Sequence, residues 1–434
     1  MKPIKVFKFG GASIKDADAI HNVAAILQRF ADDSLLIVVS AMGKTTNALE
    51  EVVRAHASGN SEKAEQHFKS VQQSHFGLAK ELFDESEEIF TTLNDIFVEI
   101  EWVLEEPPHE DFDYMYDQIV SVGELLSSHI VSAFLQKKGL SCQWLDARSV
   151  LATDNTYREA RIQWEQTKEQ MERLVSPQLA KGGFVLTQGF IGSTSENFTT
   201  TLGREGSDYT AAIFSFCLDA VSMTIWKDVP GVLTADPRLF ENVVKLDRLS
   251  YKEAIEMTYY GATVIHPKTI KPLQNKNIPL FVKSFLQPDE AGTIITDDTD
   301  GNYPPIIIVE KNQSLLYISS RDFSFIAEHH LSRLFSLFDK YRIWVNMMRN
   351  TAISFMVCVP NSSPERLKQL FAEMDEDFTV VEETGVELLS VRHYHESILE
   401  NLRADRIVLL EERIPKMYQM VSKNLPNIRR KEGV

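Results

Sequence analysis

A chain of 434 residues, 44% hydrophobic and 25% charged, has the composition of a globular protein with room for two or three domains and a substantial core. Its formal charge of -17 repels polyanions and argues against nucleic acid as a main partner, and no stretch reads as the run of about 20 apolar residues that a bilayer span requires. Cys142, Cys217 and Cys358 are far apart with no CxxC pair, so neither disulfides nor a thiolate metal site is expected, and a start without a signal-peptide core predicts a cytoplasmic protein.

Ile4, Val6, Phe7 and Phe9 predict a buried first strand that stops at Gly10 and Gly11. Helical spacing resumes from Ile14, which puts Gly10, Gly11 and Ser13 between a strand and a helix N-terminus. Unpaired N–H groups and a positive dipole end there favour a phosphate. Lys8 interrupts an otherwise apolar strand, so it lies at a sheet edge or faces an anion; in the second case it adds a full charge beside the glycines. A second strand, 35–39, ends in SAMGKTTN. Gly43, Lys44 and Thr45 mimic the end of a Walker A loop, but the first glycine of that motif would fall at Val38. Ser40, Thr45, Thr46 and Asn47 read as a polar loop beyond a parallel strand, where α/β proteins bind ligands; equally, Thr45 or Thr46 caps a helix beginning at Ala48.

Residues 61–138 read as an acidic helical insert broken at Pro107 and Pro108. Within it Glu124 stands in an apolar setting, where a carboxylate is either paired or aimed into a cleft. Strands follow at 141–147 and 182–188. The loop TTTLGREGSDYTAA, 199–212, then opens a helix 211–217. Arg204 offers a planar fork for a carboxylate. Asp208 suits a lysine or an ammonium, and Ser207 or Asp208 can also cap the helix. After a strand 220–226, KDVPGVLTADPR offers Asp228, Asp236 and Arg238 to a ribose, a base edge or a phosphate, or is a plain surface excursion. Helices from Lys252 and near Thr269 and a strand 281–284 complete an alternation of strands and helices. That order predicts a mostly parallel sheet with helices on both faces, ending near residue 295.

In the tail, strands 315–320, 343–348, 352–359 and 378–382 with helices 325–340 and 364–373 give the order βαββαβ of an α+β sandwich. A partial echo follows: strand 386–391, a helix around Ser397, strand 406–410 and a last helix 414–424.

KFGGAS, SAMGKTTN, VGELLS, QGFIGS, TTLGREGSDYTAA, KDVPGVLTADPR and YYGATVIHP, in this order, resemble the motifs of aspartate kinases, of the amino acid kinase fold, over residues 1–295. The resemblance implies ATP-dependent phosphorylation of the L-aspartate side-chain carboxylate to 4-phospho-L-aspartate, the entry to lysine, threonine and methionine synthesis, with Mg2+ carried by the nucleotide. It places Lys8 on the transferring phosphate with Gly10, Gly11 and Ser13 around it, and makes Asp208 the acidic residue organising the centre. It assigns Ser40, Thr46, Glu124, Arg204 and Ser207 to aspartate. ATP falls to Lys227, Asp228, Leu233, Arg238, Thr263 and Val264. Residues 305–434 resemble paired ACT regulatory domains, one complete and one partial, which implies an amino-acid effector, lysine or threonine, and a homodimer or higher oligomer. Three departures stand out: Ala12 replaces a threonine, Glu205 a glycine and Thr263 a lysine usual in the family. Glu205 then implies a backbone that does not demand positive φ. Asn346 and Ala352 stand where acidic residues often contact the effector. A kinase for another small carboxylate and a non-catalytic amino-acid sensor are the competing readings.

Overall fold

The computed structural model describes residues 2–262, 265–297, 299, 301–322 and 324–425. The chain divides into two compact units: Met1–Val232, Lys245–Ile255 and Thr263–Gly301 form the first, and Leu233–Val244, Glu256–Ala262 and Asn302–Val434 the second. Two short segments between residues 233 and 262 thus cluster with the C-terminal unit, where the motif order suggested a single division after residue 295.

In the first unit the elements run β1 (Ile4–Phe9), α1 (Ala17–Gln28), β2 (Ser34–Val39), α2 (Thr45–Ala57), α3 (Ser61–Leu82), α4 (Ile89–Glu105), α5 (Phe112–Val120), α6 (Val122–Lys137), β3 (Cys142–Leu145), α7 (Trp164–Leu174), α8 (Ser176–Ala180), β4 (Gly183–Gln188), β5 (Ile191–Ser193), β6 (Thr199–Thr201), α9 (Gly206–Cys217), β7 (Ser222–Lys227) and β8 (Arg248–Leu249). Helix α10 (Tyr251–Tyr259) is divided between the units after Ile255, and α11 (Pro267–Asn275), β9 (Leu280–Ser284) and β10 (Thr293–Ile295) complete the first. Eight strands form one sheet in the order β3-β4-β2-β1-β7-β9-β10-β8, parallel throughout except where β10 meets β9. This is the mostly parallel sheet that the motif order predicts. β2 is buried at every position, as expected of a central strand covered on both faces, and such a strand shows no two-residue alternation.

The sheet order has a functional consequence. The chain passes from β1 outward to β2, β3 and β4 and then crosses back over β1 to β7, so the C-terminal ends of β1, β2, β4 and β7 border the place where the direction of winding reverses. The helical stretch Phe112–Lys137, α5 followed by α6, is long and apolar enough by composition to cross a membrane, contrary to the sequence reading. Its most apolar 18 residues are instead 83% buried within the protein, as those of a core helix are. All three cysteines are buried and unbridged.

The second unit is built on β11 (Ile306–Ser320), α12 (Glu328–Lys340), β12 (Met347–Asn350), β13 (Ser354–Pro360), α13 (Pro364–Met374), β14 (Phe378–Arg392), α14 (Glu396–Ala404), β15 (Arg406–Ile414) and β16 (Met417–Asn424). Its antiparallel sheet has the order β12-β13-β11-β14-β16-β15. Helices α12 and α13 bury Leu334, Leu337, Leu367 and Leu370 against Leu316, Phe355 and Val357, while Leu399 and Leu402 of α14 pack on Leu389, Val391 and Tyr418. Two strands expected at 378–382 and 386–391 are one, because β14 continues through Gly385 (φ 67°) where β11 turns at Asn312 (φ 55°), and both strands absorb the irregularity together.

The helix expected at 414–424 is a strand. Ile414, Met417, Tyr418 and Val421 are spaced like a helical face, yet β16 lies between β14 and β15 and is buried from Met417 to Ser422. A strand buried on both faces is apolar at successive positions, so periodicity alone does not distinguish it from a helix. Pro415 and Lys416 (φ 65°) form the turn that reverses the chain.

Candidate active site

Lys8 is the penultimate residue of β1, a strand paired on one side with β2 and on the other with β7. The sheet-edge explanation of this lysine is therefore excluded. Its Nζ lies 2.6 Å from Oδ1 of Asp208 in the first turn of α9, and the two side chains are only 11% and 4% exposed. Taking both charges out of water is costly, so the pair marks a place where charge is needed.

Beyond β1, Gly11–Ile14 form a short 3-10 turn rather than the start of a helix. α1 begins only at Ala17, and its first turn is closed by Asp16, whose carboxylate accepts from the Ala19 N–H at 2.8 Å. The anticipated helix dipole at the glycines is thus displaced along the chain. Ser13 is committed locally: its hydroxyl and its N–H both donate to the Gly10 carbonyl. Gly11 has a spatial reason to be glycine. A Cβ there would stand 2.7 Å from the Ala41 carbonyl oxygen and 3.0 Å from that of Gly43, so the turn after β1 lies directly against the loop after β2.

That second loop carries the acidic corner of the site. The Ser40 carbonyl accepts from Ser127 Oγ at 2.7 Å, and the Ala41 N–H donates to Oε1 of Glu124 at 3.3 Å. Glu124 lies in the first turn of α6 and is buried, and its Oε2 has no hydrogen-bond partner among the described residues. Burial pushes its carboxyl up to about 8, against the Ala41 N–H, its own N–H and the charge of Lys8. Thr46 is half-buried in the first turn of α2, which starts at Thr45 with no side-chain cap; the capping alternative for Thr45 and Thr46 is not what forms.

The third wall is the start of α9, which begins at Gly206 rather than Ala211. Ser207 is buried against Gly189, where an added Cβ would lie 2.4 Å from that of Ser207. Arg204 is exposed. Glu205 has φ 53°, so the expectation of an ordinary backbone there is overturned. Burial and the nearby Asp208 push its carboxyl up, opposed by Lys227, Lys8 and the His266 N–H.

Lys227 ends β7 and is half-buried, and Asp228 beside it is exposed. Leu233 and Arg238 belong to the segment grouped with the second unit, where the exposed Arg238 forks onto Asp236 at 2.8 Å. Thr263 and Val264 lie outside the described residues. Sequence reasoning assigned no role to Ser127 or Gly189. The signal for Gly189 is its place between the end of β4 and Phe190 at φ 70°; nothing local marks Ser127, because its partner lies 87 residues away.

The state of Glu124 gives a testable expectation. Its folded value of about 8 lies above the ordinary 4.5, so between those values the folded chain holds a proton that the unfolded chain has released. This contribution to stability is complete below pH 4.5 and is lost as pH rises toward 8, at up to about 1.4 kcal/mol per unit inside the window. Glu124→Gln should remove that slope. Melting temperatures at closely spaced pH values for both proteins check it, and parallel profiles would refute it.

Comparison with known proteins adds four findings. The model of the amino acid kinase family matches residues 3–284. The lysine-sensitive aspartokinase 3 of Escherichia coli K12 is 33% identical over 360 residues, which are 82% of this chain and 78% of that protein. Among solved structures, E. coli aspartokinase III in complex with aspartate and ADP, an R-state, superposes with TM-score 0.82 at 27% identity, covering 97% of this chain and 96% of that one. The same enzyme with lysine and aspartate, a T-state, gives TM-score 0.80 at 28% identity over 96% and 95%.

Proposed function

This chain belongs to the amino acid kinase family and is an aspartokinase, and from that premise we propose how its residues phosphorylate the side-chain carboxylate of L-aspartate with ATP to give 4-phospho-L-aspartate. The observation that carries the proposal is the buried Lys8–Asp208 pair at the C-terminal ends of the parallel strands. A side-chain carboxylate with a pKa of about 4 is ionised at neutral pH, so the nucleophile needs no base. The obstacle is repulsion between a carboxylate and a triphosphate. Fixed cations and positioning therefore supply most of the catalysis.

Lys8 is assigned to the transferring phosphate, with Gly10, Gly11 and Ser13 shaping the turn beside it. Asp208 holds the Lys8 ammonium on that line. Arg204 is assigned to the α-carboxylate of aspartate, Glu124 to its ammonium, and Ser40, Thr46 and Ser207 to the remaining polar contacts. Lys227 and Asp228 are assigned to the nucleotide, as are Leu233, Arg238, Thr263 and Val264 on the strength of their motif positions. Among the described residues no three His, Cys, Asp or Glu side chains converge to hold a metal. Asp208 and Glu205 are the nearby carboxylates, a donor set suited to a Mg2+ ion held mainly by phosphates and water. Such an ion would screen the phosphate charge.

The same reading places the enzyme in the cytoplasm at the head of lysine, threonine and methionine synthesis. It makes the second unit an ACT-like effector and dimerisation region. The lysine-bound T-state relative favours lysine over threonine as effector, although Asn346 is engaged with Glu310 and Gln313 and Ala352 is exposed.

Trapping of acyl phosphate by hydroxylamine tests the reaction. Aspartyl hydroxamate should accumulate with L-aspartate and ATP–Mg. Formation only with a different carboxylate would reassign the substrate, and none with any carboxylate would favour a non-catalytic sensor.

A further inference from the structure

Glu205 holds a left-handed backbone, φ 53° and ψ 29°, at the residue that opens α9. That conformation is disfavoured for any residue with a Cβ, and the helix fixes it: the Glu205 carbonyl accepts the N–H groups of Asp208 and Tyr209 at 3.0 and 3.1 Å. The side chain is thereby carried inward. One side of its carboxylate receives the His266 N–H, and the group interacts with Asp208, Lys227 and Lys8. Its Oε2 is sealed from solvent and has no hydrogen-bond partner among the described residues. The charges gathered here are two ammonium groups, Lys8 and Lys227, and two carboxylates, Asp208 and Glu205. Glu205 therefore adds a second carboxylate beside the two ammonium groups.

Bare nucleotide phosphates bring several negative charges to a cluster in which Asp208 and Glu205 already place two carboxylates beside Lys8 and Lys227. A divalent ion on those phosphates removes two of the charges and meets a carboxylate that attracts it. Resting on the assignment of Lys8 and Lys227 to nucleotide phosphates, we propose that Glu205 is a specificity determinant that makes this protein select metal-bearing over metal-free nucleotide. The selection is against the bare anion, by a repulsive element built into the cradle.

Calorimetric titration of the full chain with ADP, in excess Mg2+ and again in EDTA, tests this on wild type, Glu205→Gln and Glu205→Gly. Glu205→Gln removes the charge at nearly constant shape, and Glu205→Gly also relieves the left-handed backbone. Wild type should bind Mg·ADP and hold metal-free ADP weakly. Both variants should tighten metal-free ADP by about tenfold, as removal of one nearby charge does, and should narrow the ratio of the two affinities accordingly. An unchanged ratio in Glu205→Gln overturns the proposal. A ratio changed only in Glu205→Gly overturns it too, because the effect then belongs to the backbone. Failure of wild type to bind ADP with or without Mg2+ overturns the nucleotide assignment itself and the proposal with it, an outcome distinct from the other two.

Discussion

Lys8→Met should lower kcat by roughly 10²–10³-fold, the usual effect of deleting one preorganised group aimed at developing charge. Methionine matches the length of the lysine stem, so what is lost is the ammonium. Deleting it also leaves Asp208, with a side chain 4% exposed, as a buried carboxylate without its ion-pair partner. Breaking one side of such a pair typically costs about 3–5 kcal/mol, and a fall in activity could then come from unfolding alone. The double variant Lys8→Met/Asp208→Asn separates the two effects. It should recover most of the lost stability, because an amide needs no counter-charge, and should remain as inactive as Lys8→Met. Denaturant midpoints and single-turnover rates on the three proteins check this. Recovery of turnover together with stability would show that Lys8 acts by supporting the fold rather than the reaction.

Gly11→Ala should have the next largest effect, for a reason unrelated to backbone freedom, since Gly11 does not hold a positive φ. The new methyl group would meet three backbone atoms, the Ala41 oxygen at 2.7 Å, the Gly43 oxygen at 3.0 Å and the Gly43 nitrogen at 3.2 Å. None of these can rotate away as a side chain would. The loops after β1 and β2 must separate, which strains the Gly43 N–H to Gly11 carbonyl bond of 3.1 Å and draws the Ala41 N–H away from Glu124. We expect roughly 1–3 kcal/mol of destabilisation and about a hundredfold loss in kcat/KM, since displacements near 1 Å around reacting groups cost that much. Steady-state kinetics with thermal unfolding check both, and wild-type kinetics would show that the two loops can part freely.

Much of this site was legible because its parts lie at element boundaries. Lys8 broke an apolar strand, Glu124 sat in an apolar helix, and Asp208 followed a glycine-rich loop; each was anomalous in its local setting. What pairs with what was not legible, because Lys8 and Asp208 are two hundred residues apart and Ser127 bonds to Ser40 from 87 residues away. The backbone at Glu205 was misjudged because a glutamate argues locally against left-handed φ, and only the demands of the α9 start outweigh that. The first unit was readable as α/β from strand and helix alternation. The C-terminal strand β16 was not, since burial on both faces erased the two-residue period.

The pairing of β11 with β14 has a further consequence. These two strands run together from Ile306 opposite Arg392 to Ser320 opposite Phe378, so α12 and α13 on one half and α14 on the other are fastened to the same two ribbons. Neither half can fray without stripping amide protection from strands that the other half needs. Hydrogen–deuterium exchange should accordingly report a single opening event for the deepest amides of both halves, and an amino acid that tightens one half should slow exchange in the other without touching it.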